Sequence, residues 1–208
     1  MTATRAAAAV EHALDERHRA AGEEVERILA AAVRVMDRCA PEAPTVTDIT
    51  VEAGVSRKAF YRYFAGKDDL LLAVLERGVA IIVSYLEHQM AKESDPADQI
   101  ARWIEGALAQ VADPHLISMS RAVAGQLPEG SGGADAIMDP MRDLLTAPVT
   151  ALGGGGHEVD AVFTLTAATM RRYVGSAVRP TVDDIAALVR FCLRGVGADR
   201  RTVAGGER

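Results

Sequence analysis

Apolar residues recur at helical spacing along most of the chain, and the breaks between the runs mark helix ends. The spacing predicts a helix over 22–38, with Val25, Ile28, Leu29, Ala32, Val33 and Met36 on one face and Glu23, Glu24 and Glu26 near a start that favours negative charge. Cys39, Ala40 and Pro41 end it, and Pro44 delays the next. A long helix from 67 to about 91 turns Leu70, Leu71, Val74, Leu75, Gly78, Ile82, Tyr85 and Leu86 inward. Ser94, Asp95 and Pro96 form a capped restart for a helix over 97–111 that buries Ile100, Trp103, Ile104, Ala107, Leu108 and Val111. A shorter helix is expected over 113–124 and a loop over 125–133. The period returns over 134–152, where Pro140 and Pro148 divide or kink it, and the four glycines at 153–156 read as a flexible connection. Two last helices, 158–178 and 182–196, carry apolar faces that are wide for surface helices: Val159, Val162, Phe163, Thr166 and Met170 on one, Ile185, Leu188, Val189, Cys192 and Val196 on the other. The pattern predicts an all-α chain of about nine helices. Residues 1–21 form a frayed or flexible extension, residues 22–67 a first domain, residues 68–197 a second, and residues 198–208 a flexible tail.

Residues 45–67 break the long-helix rhythm. Thr45 with Asp48 three residues on is a helix-start pair, because the hydroxyl accepts an orphan amide and the carboxylate sits in the first turn. The short helix that follows buries Val46, Ile49 and Ala53 and meets Gly54, which can take the left-handed conformation of a tight exit. Ser56 caps a second helix that carries Arg57, Lys58 and Arg62 outward, while Phe60 and Phe64 face in at i, i+4 spacing. This is a helix-turn-helix signal.

Charge gives that signal a target. From Gly54 to Lys67 there are four cations (Arg57, Lys58, Arg62 and Lys67) and no acid, on a chain of 208 residues whose formal net charge is -6. A local basic face on an acidic chain implies a directed phosphate contact. Aromatic residues make up only 4% of the chain and alanine is abundant, which favours close-packed helices over a sheet. Cys39 and Cys192 lie far apart within apolar helical patterns and read as buried free thiols of a reducing, cytoplasmic protein. The apolar run near Met1 is too short for a secretory signal, and Glu76 and Arg77 interrupt the most apolar stretch below membrane-spanning length. His12, His18, His88, His115 and His157 are scattered, and no nucleophile elbow or paired metal-ligand spacing is present. Neither enzyme chemistry, metal nor cofactor is expected.

Val55-Ser56, Phe60-Tyr61, Tyr63-Phe64, Lys67 and Leu70, preceded by Thr45-Val46, Asp48-Ile49 and Ala53-Gly54, resemble in order and spacing the DNA-binding domain of the TetR family of bacterial transcriptional regulators. Thr50 stands where the family usually has alanine, and Ala65-Gly66 where many members have a capping residue. The resemblance implies an all-helical homodimer with an N-terminal three-helix head and a larger C-terminal effector-binding and dimerisation domain. Dimerisation would run through the helices at 158–178 and 182–196; on pattern alone these two could instead complete the core of one protomer. The helix starting at Ser56 would enter the major groove of a pseudo-palindromic operator, with Arg57 and Lys58 at base edges and Ala59 near a thymine methyl. Thr47, Tyr61, Tyr63 and Lys67 would contact phosphates, with Thr45, Ser56 and Arg62 on the same face. Arg17 and Arg19 in the extension would lie along DNA if ordered on it, although Asp15 and Glu16 argue for a solvated helix. A small, mostly apolar effector would meet Trp103, Met119, Met138, Met141, Phe163 and Met170, with Thr166 or Tyr85 as polar anchor, unless these are plain core. The expected function is that of a repressor released by its effector. Alternatives are a regulator of the same fold without a small ligand, and a helical-bundle carrier or enzyme with a vestigial head.

Overall fold

The computed structural model describes residues 5–39, 42, 44–112, 132–176 and 178–197, and among them there are nine helices and no strand. The helix expected over 113–124, with Met119, and the tail from 198 lie outside the described residues. The chain divides into two compact units, Met1–Val74 and Leu75–Arg208.

The first unit contains α1 (Arg5–Cys39), α2 (Val46–Ala53), α3 (Arg57–Tyr63) and the first turns of α4 (Lys67–Met90). α1 starts well before the expected position and passes through Gly22 without a break. One glycine costs a helix only about 1 kcal/mol, and the alanines, glutamates and arginines around it are strong helix formers. Ile28, Leu29, Ala31, Ala32, Val35 and Met36 are its buried stripe, whereas the described side chains from Ala9 to Ala20 are all exposed. The core is completed by Ile49, Phe60, Phe64, Leu70, Leu71 and Val74. The compact unit runs on to Val74 and so takes in the buried Leu70, Leu71 and Val74. Glu52 of α2 ties back to α1 through Arg34 and Arg38, each at 2.8 Å.

The second unit contains the rest of α4, α5 (Pro96–Ala112), α6 (Gly132–Asp143), α7 (Thr146–Ala151), α8 (Gly156–Val174) and α9 (Val182–Val196). The expected 134–152 segment is two helices that part at Leu144 and Leu145; Pro140 lies inside α6. α5 is central and packs against α7, α8 and α9. Ile100, Trp103, Ile104, Ala107, Leu108 and Val111 are its buried positions, as the spacing predicts. The glycine run is not a loose linker. Gly153 has φ +88°, and a Cβ on Gly154 would come within 2.7 Å of Val149 Cγ1 and 3.1 Å of Val196 Cγ1, so the run is a close-packed turn. Gly156 already belongs to α8, whose start is closed by Glu158 accepting from the Gly155 amide at 2.8 Å. Of the two cysteines, Cys39 is only half-buried, while Cys192 is buried and desolvation pushes its thiol up to about 11. No helix among the described residues is long and apolar enough to cross a membrane.

Candidate functional site

The head is built on two closed helix starts and one left-handed glycine. At α2, Thr45 Oγ1 accepts from the Asp48 amide at 3.1 Å, and Asp48 Oδ2 accepts from the Thr45 amide at 3.2 Å and from its hydroxyl at 2.5 Å. These bonds, the hydroxyl's first, hold the Asp48 carboxyl below its usual pKa. α2 ends at Gly54, φ 66°, with the Val55 amide donating to Thr50 O at 3.0 Å. Thr50 fits inside the unit by donating its hydroxyl to Thr47 O at 3.0 Å. Ser56 Oγ then accepts from the Ala59 amide at 3.0 Å and opens α3. Before α4, Asp69 supplies the missing cap, its carboxylate accepting from the Ala65 amide at 2.8 Å.

The phase of α3 follows from these starts. At about 100° per residue, Arg57, Lys58, Tyr61 and Arg62 share one arc, and all four are exposed. Ala59 and Phe60 fall on the opposite arc. Ala59 is only 5% exposed, which corrects its expected place at a thymine methyl: its methyl group is part of the packing. The Phe60 ring meets Phe64 at 5.5 Å and the edge of Tyr61 at 5.2 Å, so Tyr61 is braced by its ring while remaining 51% exposed. Thr47 is exposed on α2, and Lys67 is half-buried at the start of α4.

The Thr45 hydroxyl donates to the Asp48 carboxylate and accepts from the Asp48 amide, which starts α2. The Tyr63 hydroxyl, expected on a phosphate, donates to Glu24 Oε2 at 2.7 Å, and Arg62 Nη1 lies 3.4 Å from the same oxygen. Glu24 pushes the Tyr63 phenol above its usual pKa, first through this hydrogen bond. Sequence reading missed Glu24 because its partners lie 38 and 39 residues away.

The family model described as bacterial regulatory proteins, tetR family, matches residues 28–74, which is the head just described. The chain carries a TetR-family DNA-binding domain. Solved structures extend the likeness in fold to most of the chain. The fatty acid degradation regulator FadR from Bacillus halodurans superposes with a TM-score of 0.62 at 18% identity, over 88% of this chain and 99% of that one. FadR from Bacillus subtilis, solved in complex with stearoyl-CoA, gives 0.64 at 19% identity, over 83% and 97%. A TetR-family regulator from Streptomyces coelicolor gives 0.56 at 21% identity, over 90% and 95%. No curated protein sequence matches the chain. The chain therefore has the fold of TetR-family transcriptional regulators.

In the C-terminal unit of this TetR-family fold, the residues expected around an effector mostly fill space. Trp103 is 0% exposed, its indole N–H donates to Met141 O at 3.0 Å, and Met141 is buried with it. Phe163 lies 6.2 Å from the indole, and Met138, Phe163 and Met170 pack half-buried against the same core. Thr166 is buried but donates its hydroxyl to Val162 O at 2.8 Å, so it has no proton left for a ligand. Tyr85 is 42% exposed. None of these seven borders the three grooves described in the unit: about 450 Å³ between α4 and α6, about 380 Å³ between α8 and α9, and about 210 Å³ near Tyr173 and Pro180.

The expected dimer helices bury much of their apolar faces within the protomer. Val159, Val162, Thr166, Val189, Cys192 and Val196 are buried within one protomer, because α5 packs across α8 and α9. Phe191, 67% exposed, and Val182, 83% exposed, stand outside; Phe191 borders the 380 Å³ groove with Ala161, Leu165 and Gly195, and edges of Val162, Cys192 and Val196 form its floor.

Proposed function

We propose that the protein is a cytoplasmic DNA-binding repressor that sits as a homodimer on a pseudo-palindromic operator and leaves it when a small, mostly apolar effector binds the C-terminal unit. The observation that carries this reading is the exposed arc of α3, where Arg57, Lys58, Tyr61 and Arg62 stand together on a helix locked from behind by Phe60 and Phe64. Two such helices about 34–36 Å apart would occupy successive major grooves, with Arg57 and Lys58 at base edges and Thr47, Tyr61 and Lys67 on phosphates. The homodimer would form over α8 and α9, through the exposed Phe191 and the groove it borders. An effector would act by binding better to the arrangement that fits the operator poorly, shifting the population by its differential affinity. The closed packing around Trp103 favours a second reading, a regulator of the same fold that takes no small ligand.

Selection of bound sequences from random duplex DNA, followed by titrations of the variants, tests the reading. A pseudo-palindrome should emerge. Arg57→Ala should lose about 1–3 kcal/mol of discrimination at one base position, and Lys67→Ala should weaken all duplexes alike. Phe191→Arg, at an exposed position, should leave the chain folded but monomeric. Equal loss on every sequence for Arg57→Ala, or an unchanged dimer for Phe191→Arg, removes the corresponding assignment.

A further inference from the structure

The basic arc of α3 is divided. Among the described residues, Arg57 and Lys58 meet no acid, whereas Arg62 and the neighbouring Tyr63 converge on one carboxylate from α1. Glu24 Oε2 accepts from the Tyr63 hydroxyl at 2.7 Å and from Arg62 Nη1 at 3.4 Å; the same guanidinium lies 3.4 Å from the Tyr63 oxygen and 5.4 Å from its ring centroid. Tyr63 is half-buried, and the Arg62 side chain is 61% exposed, so a competitor from solvent can reach the cation. A phenol has one proton, so a Tyr63 that donates to Glu24 cannot also donate to a phosphate. An oxyanion that takes a hydroxyl proton and one arm of a guanidinium offers the chemistry of a DNA backbone phosphate.

Resting on the DNA-binding reading above, we infer that Glu24 stands in for a phosphate: in the free protein it withholds Tyr63 and Arg62, and the duplex must take them from it. The device lowers affinity without touching sequence preference, because phosphates carry no sequence information. It also separates two jobs on one helix. The N-terminal half of α3 is free to read bases, while the grip of its C-terminal half is restrained from α1.

The test is a comparison of wild-type, Glu24→Gln, Tyr63→Phe and the double variant on the selected operator and on an unrelated duplex across a salt series. Glu24→Gln removes the charge but keeps an acceptor of the same length. It should bind both duplexes about two- to fivefold tighter, the scale of an exposed ion pair. Its log-log salt dependence should steepen by up to about one unit, because no displaced carboxylate is left to take up a cation when the duplex binds. Tyr63→Phe should be nearly neutral in the wild-type background, since it removes both the restraint and the contact, and should weaken binding in the Glu24→Gln background. Unchanged affinity and slope for Glu24→Gln overturn the inference, and so does weaker binding at an unchanged melting temperature, which would make Glu24 an orienting group. Should Glu24→Gln fold poorly, a tenfold loss for Tyr63→Phe alone overturns it as well. A wild-type protein with no salt-dependent DNA binding overturns the regulator reading itself, a separate result from a wild type that binds and a Glu24→Gln that does not differ.

Discussion

In the N-terminal unit, the hydroxyls of Thr45 and Ser56 close helix starts, which leaves Arg57 and Lys58 outside on a helix held from behind by two phenylalanines. In the C-terminal unit, Trp103 and Thr166 turn their donors inward to the carbonyls of Met141 and Val162, and the three grooves among the described residues lie elsewhere. The first arrangement is ready for a charged partner, because its cations already stand exposed on a braced helix and a polyanion releases counterions on meeting them. The second is filled, so any ligand entering near Trp103 must first displace packed side chains, and that cost is subtracted from its affinity. One unit is preformed for its partner. The other is closed around Trp103 and keeps its open space in grooves elsewhere.

The strongest way to break this contrast is at Trp103. Trp103→Ala deletes a fully buried side chain and orphans the Met141 carbonyl, so it should destabilise the protein by about 3–5 kcal/mol in denaturant unfolding. A loss below about 1 kcal/mol would mean that the indole already borders open space, and would restore Trp103 to a ligand site.

A smaller effect is expected at the head. Thr45→Ala removes the hydroxyl that accepts from the Asp48 amide and should cost about 1 kcal/mol, since capping contributes on that scale. Its effect on DNA should follow helix stability alone: full operator affinity at temperatures where the variant is folded, measured by titration below the melting transition. A uniform loss of DNA affinity in a fully folded variant would mean that the threonine reaches a phosphate after all.

These two positions also show what the sequence can and cannot carry. The caps at Thr45 and Ser56, the left-handed Gly54 and the inward Phe60–Phe64 pair were legible because each is decided within about four residues. Ala59 was misplaced because it was assigned by size next to Arg57 and Lys58, although about two residues of rotation carry it to the inner arc. The Tyr63–Glu24 bond was out of reach because it joins residues 39 apart. The wide apolar faces of α8 and α9 and the residues around Trp103 were ambiguous in kind: burial against α5 and burial against a ligand or a second protomer select the same side chains. The packed turn at Gly153 and Gly154 looked like a linker because glycine serves both close approach and flexibility.

The smallest effect is read through pH, at Glu52 in the head. The guanidinium of Arg34, and then that of Arg38, hold the Glu52 carboxyl below its usual range. A group whose folded pKa is depressed adds stability that is fully present above its unfolded pKa, near 4.5 for Glu52, and is lost as pH falls through the folded value, because the unfolded chain then binds the proton first. Stability should therefore decline as pH drops below that point. Glu52→Gln, which leaves Arg34 and Arg38 without their carboxylate, should be slightly less stable than wild type near neutral pH and should show a shallower decline on the acid side, so that the two curves converge. Urea unfolding followed from pH 6 to pH 3 checks this. Parallel curves would mean that the Glu52 pairs are too well solvated to tie α2 to α1, and the rigidity of the head would then rest on its caps and its buried apolar core.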